Sequence, residues 1–313
     1  MKVALCFNIH YKNLLVKEKL WKEWVYYNRD IINIYFHCKN APISSPWIKN
    51  HCIPSRLMKP TSYFHIVPAL MSLLSYAYKD TKNIWFCLLT DSCVPIVSPA
   101  EFRKLFFQYF SATIFRWSPP TWNIQYHKRA NLFVLPEKYH LANDPWFVIT
   151  RTDVYHCLNF TNQKMYEIIT KGIIANESVF AIALRYYKRL GHVINQSSSL
   201  CDWSRMSSST SPYVFKNKNI EQDRQYISSK PQFALFLRKI HHSFPDNIIE
   251  EFLYPPGFKR TNYTDELSHI TYRTYNFPYF MVFVGSGIVW LAFEIIHFCV
   301  KKEILSFSFF SFV

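Results

Sequence analysis

Residues 83–96 read NIWFCLLTDSCVPI. The stretch from Ile84 to Leu89 is unbroken apolar and aromatic, the composition of a β-strand. It stops abruptly at Asp91-Ser92-Cys93, which a strand interior does not tolerate. A helix over about 98–110 follows, and a helix over 61–79, with Thr61 or Ser62 as its cap, precedes. Further upstream, IINIYFHC (31–38) reads as a strand and 13–29 has helical spacing of Leu14, Leu15, Leu20, Trp21 and Trp24. KVALCFNI (2–9) opens the chain as a buried strand, and no signal-peptide pattern precedes it. This alternation predicts an α/β fold with a parallel or mixed sheet flanked by helices.

Downstream the pattern loosens. Residues 116–145 are irregular and carry Arg116, Lys128, Arg129 and Lys138. WFVITR (146–151) reads as a strand, 152–171 and 176–190 as helices, and the Ser- and Asn-rich 193–219 as loops around a short strand. QFALFLRKIH (232–241) has an apolar core ending in Arg238-Lys239. FPYFMVFVGSGIVWLAFEIIHFCV (277–300), followed by Lys301 and Lys302, has the length of a bilayer span of roughly 20 residues. Glu294 and His297 interrupt it, and a buried core helix is the rival reading.

Lys and Arg number 36 against 21 Asp and Glu, a net charge of +15 that suits an anionic partner. The basic residues are scattered, without zinc-finger spacing or an RNA-binding motif, which argues against nucleic acid. Eight cysteines form no CxxC pair, so no metal site follows from them, although disulfides remain possible. Five glycines leave no Gly-rich phosphate loop, and GxxxxGK[ST], HExxH and Asp-x-Asp are absent.

In open α/β sheets ligands bind beyond the carboxyl ends of the strands. Asp91 and Ser92 sit at such an end, where an acid can bind a ribose hydroxyl, a sugar hydroxyl or a metal or, alternatively, cap a helix before Pro95. Glu177, in Asn176-Glu177-Ser178, opens a predicted helix and is either a catalytic carboxylate or a partner of the helix dipole. Arg238 and Lys239, after an apolar strand, suit a diphosphate.

Several stretches, in order, resemble the core-2/I-branching β-1,6-N-acetylglucosaminyltransferase family, which also contains peptide O-xylosyltransferases and plant members. WFCLLTDSCVPI (85–96) is similar to F-x-L-L-S-[DE]-S-C-I-P-L almost residue for residue. INIYFHC (32–38), TSYFHIVPALMSLLSYA (61–77), PWFVITR (145–151), NESVFAIAL (176–184), VINQSSSLCDWSR (193–205) and FALFLRKI (233–240) resemble further family motifs, so the likeness spans roughly 3–245. It implies a glycosyltransferase A-type fold and inverting, metal-independent transfer from a UDP-sugar, most often of N-acetylglucosamine, to a glycan or protein hydroxyl, with no cofactor. It also implies Glu177 as general base and Lys239 at the donor diphosphate, with Arg238 or Arg205 as a second positive charge. Trp146, Trp203, Asp91 and Ser92 would line the donor or acceptor pocket. Asn176 departs from the usual acid, Ala181 stands where Pro is common, and the usual N-terminal anchor is missing. A non-catalytic sugar-binding relative and a basic peripheral-membrane protein are the alternatives.

The expected organisation is a catalytic domain over 1–250, a linker over 251–276, a transmembrane helix over 277–300 and a tail over 301–313, with the bilayer as a partner. An endomembrane location follows from that reading. Lys301 and Lys302 favour a cytoplasmic tail and a lumenal domain, whereas a span translated last, as in tail-anchored proteins, leaves the domain cytoplasmic. Four N-x-[ST] sequons, at Asn159, Asn176, Asn195 and Asn262, would report the side.

Overall fold

The computed structural model describes residues 1–9, 12–39, 42–208, 211–258, 282–284 and 287–289. It divides into two units, Met1–Ser268 and His269–Val313. The first begins with β1 (Lys2–Asn8), α1 (Glu18–Tyr26), β2 (Ile32–His37), α2 (Pro46–His51), α3 (Val67–Tyr78) and β3 (Asn83–Thr90). After β3 come β4 (Val94–Pro95), α4 (Pro99–Tyr109), β5 (Thr113–Ile114), β6 (Trp117–Ser118), α5 (Ile124–His127), β7 (Ala142–Asn143) and β8 (Val148–Thr150). The remainder holds α6 (Arg151–Leu158), α7 (Gln163–Lys171), α8 (Val179–Tyr186), β9 (Val193–Ile194), β10 (Ser199–Cys201), α9 (Ile220–Ser228), β11 (Phe236–Arg238) and α10 (Asp246–Leu253).

The main sheet has the order β2-β1-β3-β8-β5-β9. β1 runs parallel to β2 and β3, while β8 is antiparallel to both β3 and β5, so the sheet is mixed, as the sequence allowed. β1 and β3 are buried along nearly their whole length, which explains why they read as continuous apolar runs rather than alternating ones. Leu70, Leu73, Leu74 and Ala77 of α3 pack on one face with Phe86 and Leu88 of β3, and α8 and Phe147 extend that core.

A second sheet, β10-β11-β4, stands beside the first. The chain crosses to it within four residues of the end of β3, because Asp91–Cys93 forms a turn and Val94 pairs with Leu237. Two tryptophans of α1 hold that crossing: Trp21 Nε1 donates to the Cys93 carbonyl at 3.0 Å and Trp24 Nε1 to the Val97 carbonyl at 2.9 Å. Both rings are fully buried, and Trp21 stacks on Phe236 of β11. The crossing carbonyls, which no sheet ladder serves, are thereby satisfied inside the core.

Several boundaries differ from expectation. The helix expected from 61 begins at Val67, with Pro68 in its first turn, and Thr61 to Ile66 form a loop instead. Proline suits a first helical turn and disfavours helix before it. The helix expected over 152–171 is two helices, α6 and α7, and the one expected from 176 starts at Val179. Cys38 and Cys52 form a disulfide that ties the end of β2 to the segment after α2.

In the second unit Val282–Val284 (β12) pairs antiparallel with Gly287–Val289 (β13). These six residues fall within the stretch expected to be a transmembrane helix, and they are strands. Val282, Val284, Ile288 and Val289 are β-branched and Gly287 is a poor helix former, so local propensity opposes a helix here. The rest of 277–300 lies outside the described residues, and among those described no helix is long and apolar enough to cross a membrane.

Candidate functional site

The parallel strands β1 and β3 both end, at Asn8 and Thr90, on the rim of an open cleft of about 940 Å³. This is the position at which open α/β sheets place their ligands. The second sheet also lines the cleft, through Arg238 at the end of β11 and Lys239 just after it. The cleft is therefore lined from both sheets.

Glu177 reaches the cleft from a 3-10 turn, Ala175–Glu177, that precedes α8. The turn is pinned at three points. The Ile174 N–H donates to the Phe64 carbonyl at 2.8 Å. The buried Asn143 donates from Nδ2 to the Asn176 carbonyl at 2.9 Å, and its Oδ1 accepts from the Ala181 N–H at 3.2 Å. Sequence placed Glu177 in a first helical turn with backbone N–H groups as neighbours. Instead, Ser178 (φ −147) separates the turn from α8, and the charge partner is Arg129, whose Nη1 donates to Oε2 at 2.9 Å. Burial pushes the Glu177 carboxyl above its ordinary range; Arg129 and Arg238 pull it down, and Asp144 adds to the rise. A carboxylate so balanced holds a proton more strongly than a solvated one, which favours proton abstraction.

Arg238 lies over the Trp146 ring at 5.5 Å, and its Nε is buried without a partner. Lys239 has its carbonyl engaged by the Phe215 N–H at 3.0 Å, while its ammonium makes no hydrogen bond or ion pair among the described residues. Unpartnered polar atoms recur around the cleft: Asn8 Oδ1, Thr61 Oγ1, Trp146 Nε1 and Ser199 Oγ are all buried and unbonded. Buried polar groups are normally satisfied, so this concentration marks a surface built for a polar ligand.

Asp91 and Ser92 line the cleft as anticipated, at the end of β3. Asp91 Oδ1 accepts from the Thr90 hydroxyl at 2.7 Å, and the Ser92 carbonyl accepts from the Ile240 N–H at 3.0 Å. The helix-cap alternative for Asp91 does not hold, because Ser98 caps α4. Trp146 is nearly buried in the wall, and Trp203 is half exposed at the mouth.

Arg205 is the exception among the anticipated residues. It does not line the cleft; its Nε pairs with Asp202 at 2.5 Å, its Nη1 with Asp223 at 2.8 Å, and its guanidinium lies 4.0 Å from the Tyr213 ring centroid. Two buried carboxylates draw the guanidinium inward, which a basic residue after DWS did not reveal.

Conversely, Arg129 and Asp144 are site residues that local spacing could not single out. Arg129 lies 48 positions from Glu177 in the chain, and Asp144 sits in an irregular stretch beside β7. No cluster of three or more His, Cys, Asp or Glu that could hold a metal occurs among the described residues.

A search of curated proteins found no match to the chain. The family model described as "Core-2/I-Branching enzyme" matches residues 5–225, taking in the second half of β1, all of β3, Arg129, Asp144 and Glu177 and stopping short of β11. That match covers more than two thirds of the chain, and with it the strand-end cleft acquires its meaning: this protein belongs to the Core-2/I-Branching enzyme family, whose members are glycosyltransferases.

Proposed function

We propose that the protein transfers a sugar, N-acetylglucosamine by preference, from a UDP-sugar to a hydroxyl of a glycan or glycoprotein, with inversion and without a metal ion. The observation that carries this reading is that one cleft is lined by a partly buried carboxylate, Glu177, and by the cations Arg238 and Lys239. Glu177 takes the proton of the acceptor hydroxyl. The freed oxygen pair forms the new bond to the anomeric carbon while the bond to the diphosphate oxygen breaks, and UDP departs with that electron pair. Arg238 and Lys239 stabilise the charge developing on the leaving diphosphate, a contribution on the order of 3 kcal/mol. The family is generally metal-independent, in keeping with protein cations in this role. Asn176, the departure from the family pattern, contributes its carbonyl to the turn that holds Glu177, so a carboxylate at 176 is not required to shape that turn.

The test is a screen of UDP-sugars by calorimetry and by donor hydrolysis. UDP binding should survive EDTA, and Lys239→Ala should raise its Kd about 10- to 150-fold, the loss of one charge-assisted contact. Failure of every UDP-sugar to bind overturns the proposal.

Membrane attachment through 277–300 belongs to the same reading, supported by the length and apolarity of that stretch, although β12 and β13 lie within it. Full-length protein should resist carbonate extraction, and a chain ending at Asn276 should not. The Cys38–Cys52 disulfide favours an oxidising, lumenal setting for the domain. Of the sequons, Asn159 and Asn195 are exposed and Asn176 is buried.

A further inference from the structure

Asp144 is a second carboxylate in the same cleft, and the proton-transfer chemistry does not use it. Its surroundings mirror those of Glu177. Asp144 Oδ2 accepts a hydrogen bond from the Ser197 hydroxyl, as Glu177 Oε2 does from Arg129. The other oxygen of each, Oδ1 and Oε1, has no hydrogen-bond partner among the described residues. The backbone around Asp144 is fixed as well: its N–H donates to the Arg116 carbonyl at 3.1 Å, and its neighbour Asn143 clamps the Glu177 turn. One rigid segment thus sets both carboxylates on the same cleft, each held by one oxygen and presenting the other.

Two half-buried carboxylates on one cleft disfavour one another, and Arg129 beside Glu177 and Arg116 beside Asp144 offset part of that cost while leaving Oε1 and Oδ1 unbonded. A carboxylate only accepts hydrogen bonds, so the partners that relieve such a pair are hydrogen-bond donors. The donor's diphosphate is excluded, being itself anionic and matched to Arg238 and Lys239, and between the hydroxyls of donor and acceptor those of the acceptor are favoured because Asp144 shares its cleft and its supporting segment with Glu177, the base that takes the acceptor's proton. A sugar acceptor is the right one, because neighbouring hydroxyls on one ring supply several donors at once.

Resting on the transferase reading above, we propose that Asp144 is an acceptor-specificity residue. It binds a hydroxyl adjacent to the one Glu177 deprotonates, so the acceptor is a sugar carrying neighbouring free hydroxyls rather than an isolated serine or threonine hydroxyl. Asp144 orients the ring, and Glu177 carries out the proton transfer. In chemical class the acceptor is a glycan.

The experiment uses the full chain, UDP-N-acetylglucosamine and a panel of methyl glycosides with each hydroxyl replaced in turn by hydrogen. Asp144→Asn retains the size of the side chain and an oxygen for Ser197. It should raise the acceptor KM about 10- to 150-fold, the worth of a hydrogen bond to a charged group, with a much smaller change in kcat. The wild-type enzyme should be penalised similarly by one particular deoxygenation next to the attacked hydroxyl, and Asp144→Asn should be indifferent to that same change. A structural role would not produce this pairing of variant with substrate position. Asp144→Glu, which keeps the charge, should recover part of the lost affinity, and UDP calorimetry on each variant reports folding. An unchanged acceptor KM in Asp144→Asn, or equal sensitivity of variant and wild type to every deoxygenation, overturns the assignment while the transferase reading stands. Wild-type protein that binds no UDP overturns both.

Discussion

Two groups of charges, one around Arg205 and one around Glu177, use the same residue types to opposite ends. At Arg205 two nitrogens meet two nearly inaccessible carboxylates, Asp202 and Asp223, the third, Nη2, is buried without a partner, and the guanidinium lies on Tyr213. At the cleft, Glu177 and Asp144 each leave an oxygen unbonded, Arg238 Nε is orphaned and the Lys239 ammonium makes no hydrogen bond or ion pair among the described residues. Paired, buried charges hold a fold in one arrangement, whereas unspent hydrogen-bonding capacity on an open surface is what a ligand can use. Arg205 and Arg238 looked equivalent in the sequence, and their surroundings separate them.

The comparison can be broken most directly at Glu177. Glu177→Gln should lower kcat by ~10²–10⁴-fold in steady-state transfer assays while UDP calorimetry changes little, because only the proton acceptor is lost. Turnover above about a tenth of wild type lies well outside that range and would return Glu177 to a purely structural role. Arg205→Met should do the reverse. Leaving Asp202 and Asp223 buried without their cation costs about 3–5 kcal/mol, or roughly 6–20 °C in Tm. Folded protein should still bind UDP as before, and a large rise in Kd at a permissive temperature would make Arg205 a ligand residue after all. The smallest effect sharpens the picture at Arg129. Rate should fall as pH drops through the raised Glu177 titration, since the base must be deprotonated. Arg129 opposes that rise, so Arg129→Gln should move the acid limb of the kcat/KM profile to higher pH. An unmoved limb would mean that another group titrates there.

What the sequence disclosed follows from how each feature is encoded. β1 and β3 were legible because burial on both faces demands unbroken apolar runs, and Asp91-Ser92 because the run stops there. The start of α3 was misjudged because Thr61 and Ser62 imitate caps, whereas Pro68 sets the true first turn. Glu177 and Lys239 were found through resemblance to a family; their own spacing allowed helix-dipole and strand-end readings equally well. Arg129 and Asp144 escaped notice because their partners come from distant segments, 48 and 53 positions away. Contacts of that kind are created by topology and leave no local periodicity to read. The stretch over 277–300 carries two signals at once: overall apolarity argues for a span, while the β-branched residues around Gly287 favour strands, and strands are what the six described residues form.

The middle place of β11 in the second sheet bears on the order in which the protein can become active as it is made. β10 and β4 flank β11 and touch it rather than each other, and the Ile240 N–H closes on the Ser92 carbonyl. A nascent chain that has emerged only as far as residue 225 can assemble β1, β3 and the Glu177 turn, yet it has an empty slot where β11 belongs. Asp144 and Glu177 are thus synthesised well before Arg238 and Lys239. Until residues 236–238 are made, β10 and β4 lack the strand that pairs with both, and unpaired strand edges of that kind are where nascent chains are prone to aggregate.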